Sequence, residues 1–157
     1  MPLELGAVNR MNVSMIIHPA VIVHGLADAK AALTLGLPVT LLSAPGAAMF
    51  AGCVWWREMV AAAQAAFPGT EATDILDCAD ASGMAMGSLR SGICRLVLWP
   101  EASGWASVAA IAERQGGFIL SAAPAALDLA NRNAIRRLEG WLRESSASGR
   151  DRPACPA

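Results

Sequence analysis

Histidine, serine and aspartate recur at one kind of place in this chain. His24, Ser43, Asp77 and Ser121 each close or follow a short apolar run and open a turn of small or polar residues that leads into an Ala-rich stretch. The turns are His24-Gly25, Ser43-Ala44-Pro45-Gly46, Asp77-Cys78-Ala79-Asp80, Trp99-Pro100-Glu101 and Ser121-Ala122-Ala123-Pro124. A histidine so placed offers a general base or a ligand donor. Asp77 offers a proton acceptor or, with Asp80 and Glu101, oxygens for a hard cation. The turn around Gly46 could present backbone N–H groups to a phosphate or carboxylate at the start of a helix.

Each of these residues also has a purely structural role open to it. Asp80 or Ser82 is expected to cap the helix that follows, and Asp77 is equally suited to accept N–H bonds within its own turn. His24 would then be an ordinary edge histidine and Cys78 a buried thiol rather than a nucleophile. The arginines Arg132, Arg136, Arg137 and Arg143 lie among Glu139 and Glu144, as on a solvated helix face.

Several signatures are missing. No G-x-G-x-x-G follows the first apolar run, no G-x-x-x-x-G-K-[ST] exists, and Lys30 is the single lysine, which excludes ordinary dinucleotide and P-loop sites. No G-x-S-x-G elbow occurs either. The four cysteines form no C-x-x-C pair and only His18 and His24 could join them, so no metal site is expected. The cofactor, if any, stays unknown.

The elements that would position these residues alternate. Strands are expected at 20–24, 39–43, 72–78, 95–99 and 118–122, with helices at 26–35, 47–67, 82–91, 103–115 and 128–144. Strands separated by helices run parallel, so the fold expected is α/β: a single-domain three-layer sandwich of about five mostly parallel strands with helices on both faces, Rossmann-like or flavodoxin-like. A sequential strand order is the alternative, giving a βα barrel fragment with helices on one face. Residues 1–144 would form the domain and 145–157 a polar tail, with 13–17 an extra strand or arm. All five turns then gather at the carboxyl edge of the sheet, where ligands of such sheets bind. His24 and Asp77 are expected to share one concavity there, and alanine at either position to leave folding nearly intact.

The stretch Asp77 to Leu98 carries Gly83-x-Ala85-x-x-x-Leu89-x-x-Gly92 before a strand. It resembles one βα unit of the phosphate-binding (βα)₈-barrel aldolases. The resemblance covers a single unit without a strand-borne lysine, and it implies βα architecture rather than aldolase chemistry.

The pattern at 47–67 is apolar on more than one face: Trp56, Met59, Val60 and Ala63 form one stripe, and Trp55, Ala62 and Ala66 another. A helix of that kind is central in a core or covered by a partner, so a homo-oligomer through 47–67 is expected, with Trp55 in the contact.

Composition narrows the partners. The chain has 157 residues, 55% of them hydrophobic, with a net charge of −1, a pI near 6.1 and a mean hydropathy of +0.43. No charge surplus recommends nucleic acid. Residues 31–56 are uncharged, but Gly36, Pro38, Pro45 and Gly46 interrupt them, so no membrane span is expected. The scattered thiols and the absence of a signal-like N-terminus point to the cytoplasm. The function expected is binding of a small polar or anionic metabolite through His24, Ser43, Gly46, Asp77, Asp80 and Ser121. The alternative is a non-catalytic oligomeric scaffold that uses helix 47–67.

Overall fold

The five strands expected between residues 20 and 122 form, one further strand joins them, and two of the expected helices have other bounds. A computed structural model describes residues 17–148; the expected arm at 13–17, apart from Ile17, and the tail beyond 148 lie outside the described residues. The elements run β1 (Ala20–Val23), α1 (Leu26–Thr34), β2 (Val39–Ser43), α2 (Ala47–Phe50), α3 (Cys53–Ala66), β3 (Ala72–Asp77), α4 (Ser82–Arg90), β4 (Arg95–Val97), α5 (Trp105–Arg114), β5 (Phe118–Leu120), β6 (Ala126–Asp128) and α6 (Ala134–Ser148). The chain is thus a single α/β domain built on one open sheet of six parallel strands, ordered β5-β4-β3-β2-β1-β6.

Five strands therefore follow one another in the sequential order given above as the alternative, and the sheet stays open. Right-handed crossovers repeated in one direction place successive helices on the same face. Buried residues of α1, α3, α4, α5 and α6 accordingly join one large cluster, with Val21, Leu41, Leu76, Leu96 and Leu127 from the strands. The opposite face carries a smaller cluster of Leu42, Ile75 and Val97 with Ile22, Phe118, Leu120 and Ala126 packed on it, so all six strands contribute and no described helix does.

The β5–β6 link explains that second cluster. From Leu120 to Ala126 the chain can reach at most about 22 Å, yet a flat sheet would separate its two edge strands by about 24 Å. The sheet must curl, bringing β5 and β6 towards each other without pairing them. Its concave side chains then bury one another, although the barrel does not close.

Two departures from the expected elements bear on function. The helix expected at 47–67 is divided at Gly52, whose φ of +84° lies in the left-handed region that glycine adopts without a Cβ clash. The segment expected to begin a helix at Asp128 instead forms β6, and α6 starts at Ala134. Three residues are too few to show a strand period, and Leu127 and Leu129 are also compatible with a helix. α6 itself carries a Glu139–Arg143 ion pair one turn apart at 2.9 Å, and Trp141 donates its indole N–H to the Ala20 carbonyl at 2.8 Å.

The α3 stripe Trp56, Met59, Val60 and Ala63 is the buried one. Trp56 is 1% exposed and donates Nε1–H to Asp74 Oδ2 at 2.9 Å, while Arg95 Nη2 donates to Asp74 Oδ1 at 2.9 Å. Both carboxylate oxygens are thereby satisfied, as a half-buried charge requires. Gly117 lets β5 begin where it does, because a Cβ there would collide with the Cys94 carbonyl, which also accepts the Phe118 N–H.

Candidate functional site

β1 ends at Val23, and the chain turns at His24-Gly25 into α1. Asp28, in the first turn of α1, reaches back and accepts the His24 backbone N–H at 3.0 Å, which is favourable at the positive end of a helix. The neighbouring strand β6 brings Asp128 alongside. Its Oδ1 lies 2.7 Å from His24 Nε2 and also accepts the Ala130 N–H at 2.9 Å. Burial alone would raise the Asp128 carboxyl, but the hydrogen bonds from His24 and Ala130 and the charge interaction with His24 outweigh it and lower the pKa.

His24 forms one wall of a cleft of about 230 Å³ at the carboxyl edge, with Val23, Ser43, Ala44, Ala47, Phe50, Ala51, Trp55 and Trp56. The break at Gly52 is what shapes it: α2 and the start of α3 set Phe50 and Trp55 over the ends of β1 and β2. Trp56 is buried beneath, whereas Trp55 is 44% and Phe50 74% exposed. No lysine or arginine lines the cleft, and the two carboxylates nearest its histidine, Asp28 and Asp128, make it a poor host for a multiply charged anion.

The candidate residues read from sequence divide accordingly. His24 and Ser43 meet in the cleft. Gly46 takes the left-handed conformation, φ +67°, but its N–H is already donated to Asp77 Oδ1 at 3.0 Å. The Ala47 and Met49 N–H groups bond to Ala44 and Gly46 carbonyls, so the turn offers few free donors to an anion. Ser43 Oγ accepts the Asp77 N–H at 2.8 Å and donates to the Ala44 carbonyl.

Asp77 is 3% exposed and is not part of the His24 cleft wall. Its Oδ1 holds both Gly46 N–H and, at 2.8 Å, Ala79 N–H. It thereby fixes Ala79 at φ +49°, a conformation unfavourable for alanine. The structural role of Asp77 is the one realised, and the expectation that alanine there leaves folding intact no longer follows. Neither Asp80 nor Ser82 caps α4 through its side chain: Asp80 is exposed, and Ser82 Oγ donates to the Ser103 carbonyl across the next turn. Ser121 follows β5, at the far edge of the sheet from β1, and is exposed.

Cys78 is fully buried. Burial pushes its thiol up to about 12, against a lowering contribution from Ser88 and with further raising by Asp77 and Cys53. It is a buried thiol rather than a nucleophile. Among the described residues no group of His, Cys, Asp and Glu is arranged to hold a metal ion, and no helix is long and apolar enough to cross a membrane.

Asp128 is the functional candidate that sequence reasoning misses, because the pattern assigns it to the start of the last helix and not to the end of a strand. The available signal was Leu127-Asp128-Leu129 between Pro124 and the Asn131-Arg132-Asn133 turn. Comparison with protein-family models, curated proteins and solved structures gives no match.

Proposed function

We propose that this protein binds a small, flat, uncharged molecule in the carboxyl-edge cleft, with His24 as its polar anchor. The observation that carries this reading is the pairing of His24 with Asp128 at the rim of a cleft whose other walls are mainly apolar and aromatic. Concave, largely apolar pockets with one or two placed polar groups are what small-molecule sites look like. The volume suits a ligand of one or two rings. The acidic surroundings of His24 favour a neutral ligand over the anionic one also considered from sequence. The test is ligand-observed NMR with neutral one- and two-ring fragments, comparing the wild type with Ala51→Phe, which fills the cleft. Binding lost in the variant supports the reading. Binding unchanged by the variant, or absent from the wild type at millimolar concentration, overturns it.

A second reading has its own observation. Met49, Phe50, Val54 and Trp55 are all large, apolar and at least 44% exposed, and they occupy α2 and the start of α3. Apolar surface concentrated in this way favours association, and a second copy of the chain covering it would make a homo-oligomer. The thiols Cys53, Cys78 and Cys94 are free, which supports a reducing, cytoplasmic setting. The net charge of −1 supports a role without nucleic acid.

A further inference from the structure

The orientation of His24 selects among ligands, and the following rests on the cleft reading above. A carboxylate can only accept hydrogen bonds, whereas a neutral imidazole has one donor nitrogen and one acceptor nitrogen. With Asp128 Oδ1 at 2.7 Å from Nε2, the proton of neutral His24 belongs on Nε2. Nδ1 is then a bare acceptor, and among the described residues no side chain or backbone group donates to it. The other polar group of the cleft wall does not compete for the same ligand atom. Ser43 Oγ accepts from Asp77 N–H and donates to the Ala44 carbonyl, so its proton is engaged.

We infer that the cleft recognises flat aromatic molecules of one or two rings that carry a single N–H or O–H donor, with the ring against Trp55 and Phe50 and the donor on His24 Nδ1. The aromatic wall supplies area with little selectivity, since any π face can stack on it. Selectivity arises at Nδ1. A ligand that covers Nδ1 without offering a donor leaves that acceptor unpaired, which costs more than the bond itself contributes. Asp128 is a positioning residue, acting through the tautomer it imposes, as carboxylates commonly do for functional histidines.

Indole and benzofuran test this, because they match in size and shape and differ in having or lacking the N–H. Titration calorimetry at pH 8.5, above the ordinary histidine range, should give indole an affinity about tenfold higher than benzofuran. His24→Ala should remove the preference while leaving weak binding of both. Asp128→Ala should reduce it with His24 intact. A second measurement is independent of any variant's folding: the imidazole ¹⁵N spectrum of the wild type should show His24 protonated on Nε2 and not on Nδ1. Equal affinities, or an Nδ1-protonated ring, overturn the inference while the cleft reading stands. Failure of both compounds to bind overturns the cleft reading with it.

Discussion

The Asp77 carboxylate holds the Gly46 backbone N–H at 3.0 Å, joining the turn after β3 to the turn after β2. The same oxygen holds the Ala79 N–H. Two neighbouring connections at the carboxyl edge are thus tied through a single buried atom, and the floor beside the His24 cleft depends on it.

Asp77→Ala leaves both N–H groups without their acceptor and releases Ala79 from its left-handed conformation. Hydrogen bonds to an ionised group contribute about 1.5–3 kcal/mol each, so a loss of about 3 kcal/mol is expected in urea unfolding. Asp77→Asn keeps a carbonyl oxygen and should cost roughly half as much. An unchanged midpoint for the alanine variant would remove the clamp from this account.

Gly117→Ala should destabilise through overpacking, since its Cβ would meet the Cys94 backbone carbonyl rather than a movable side-chain tip. Overpacking of this kind costs about 1–3 kcal/mol. Thermal unfolding of the variant checks it, with Gly87→Ala as the control, because a Cβ at Gly87 meets nothing within 4 Å and alanine favours a helix.

The pH dependence follows from Asp128. Its folded pKa is lowered from 3.8, so the ionised form favours the folded state. The contribution is fully present above the unfolded value and disappears as pH falls below 3.8 through the folded value. With the side chain 33% exposed, screening keeps it under about 1 kcal/mol. The stability gap between wild type and Asp128→Asn should therefore narrow as pH falls from about 5 towards about 3. A gap that widens on acidification would contradict the assigned direction.

Cys78 should resist alkylation. A thiol pushed up to about 12 by burial is almost wholly protonated at pH 8, and the nucleophile is the thiolate. Peptide mapping after iodoacetamide treatment should show Cys78 modified only in denaturant. Modification at native pH 8 as fast as at the half-buried Cys53 would mean that the site opens.

If copies of the chain meet through α2 and α3, light scattering after size exclusion should give at least a dimer. The double variant Phe50→Glu with Trp55→Glu should give a monomer, because two charges would then replace apolar surface. A wild-type monomer at micromolar concentration would leave the exposed tryptophan to the ligand cleft alone.

The sequence by itself determined the alternation of apolar runs and helical stretches. That was enough for the parallel sheet, for β2 at Val39–Ser43, and for the division of α3 into a buried stripe through Trp56 and an outward one through Trp55. It also placed His24 and Ser43 at the carboxyl edge. These features follow from local periodicity, which a single segment displays. Strand order, the curl of the sheet and the position of β6 were decided only in three dimensions, because they depend on which strands meet. Asp128 became a partner of His24 only through that step: 104 residues separate the two, and nothing in either neighbourhood encodes the other. Asp77 shows the converse. Its place at a strand end was legible, but whether its oxygens faced a ligand or the N–H groups of two turns was settled by how tightly those turns packed around it.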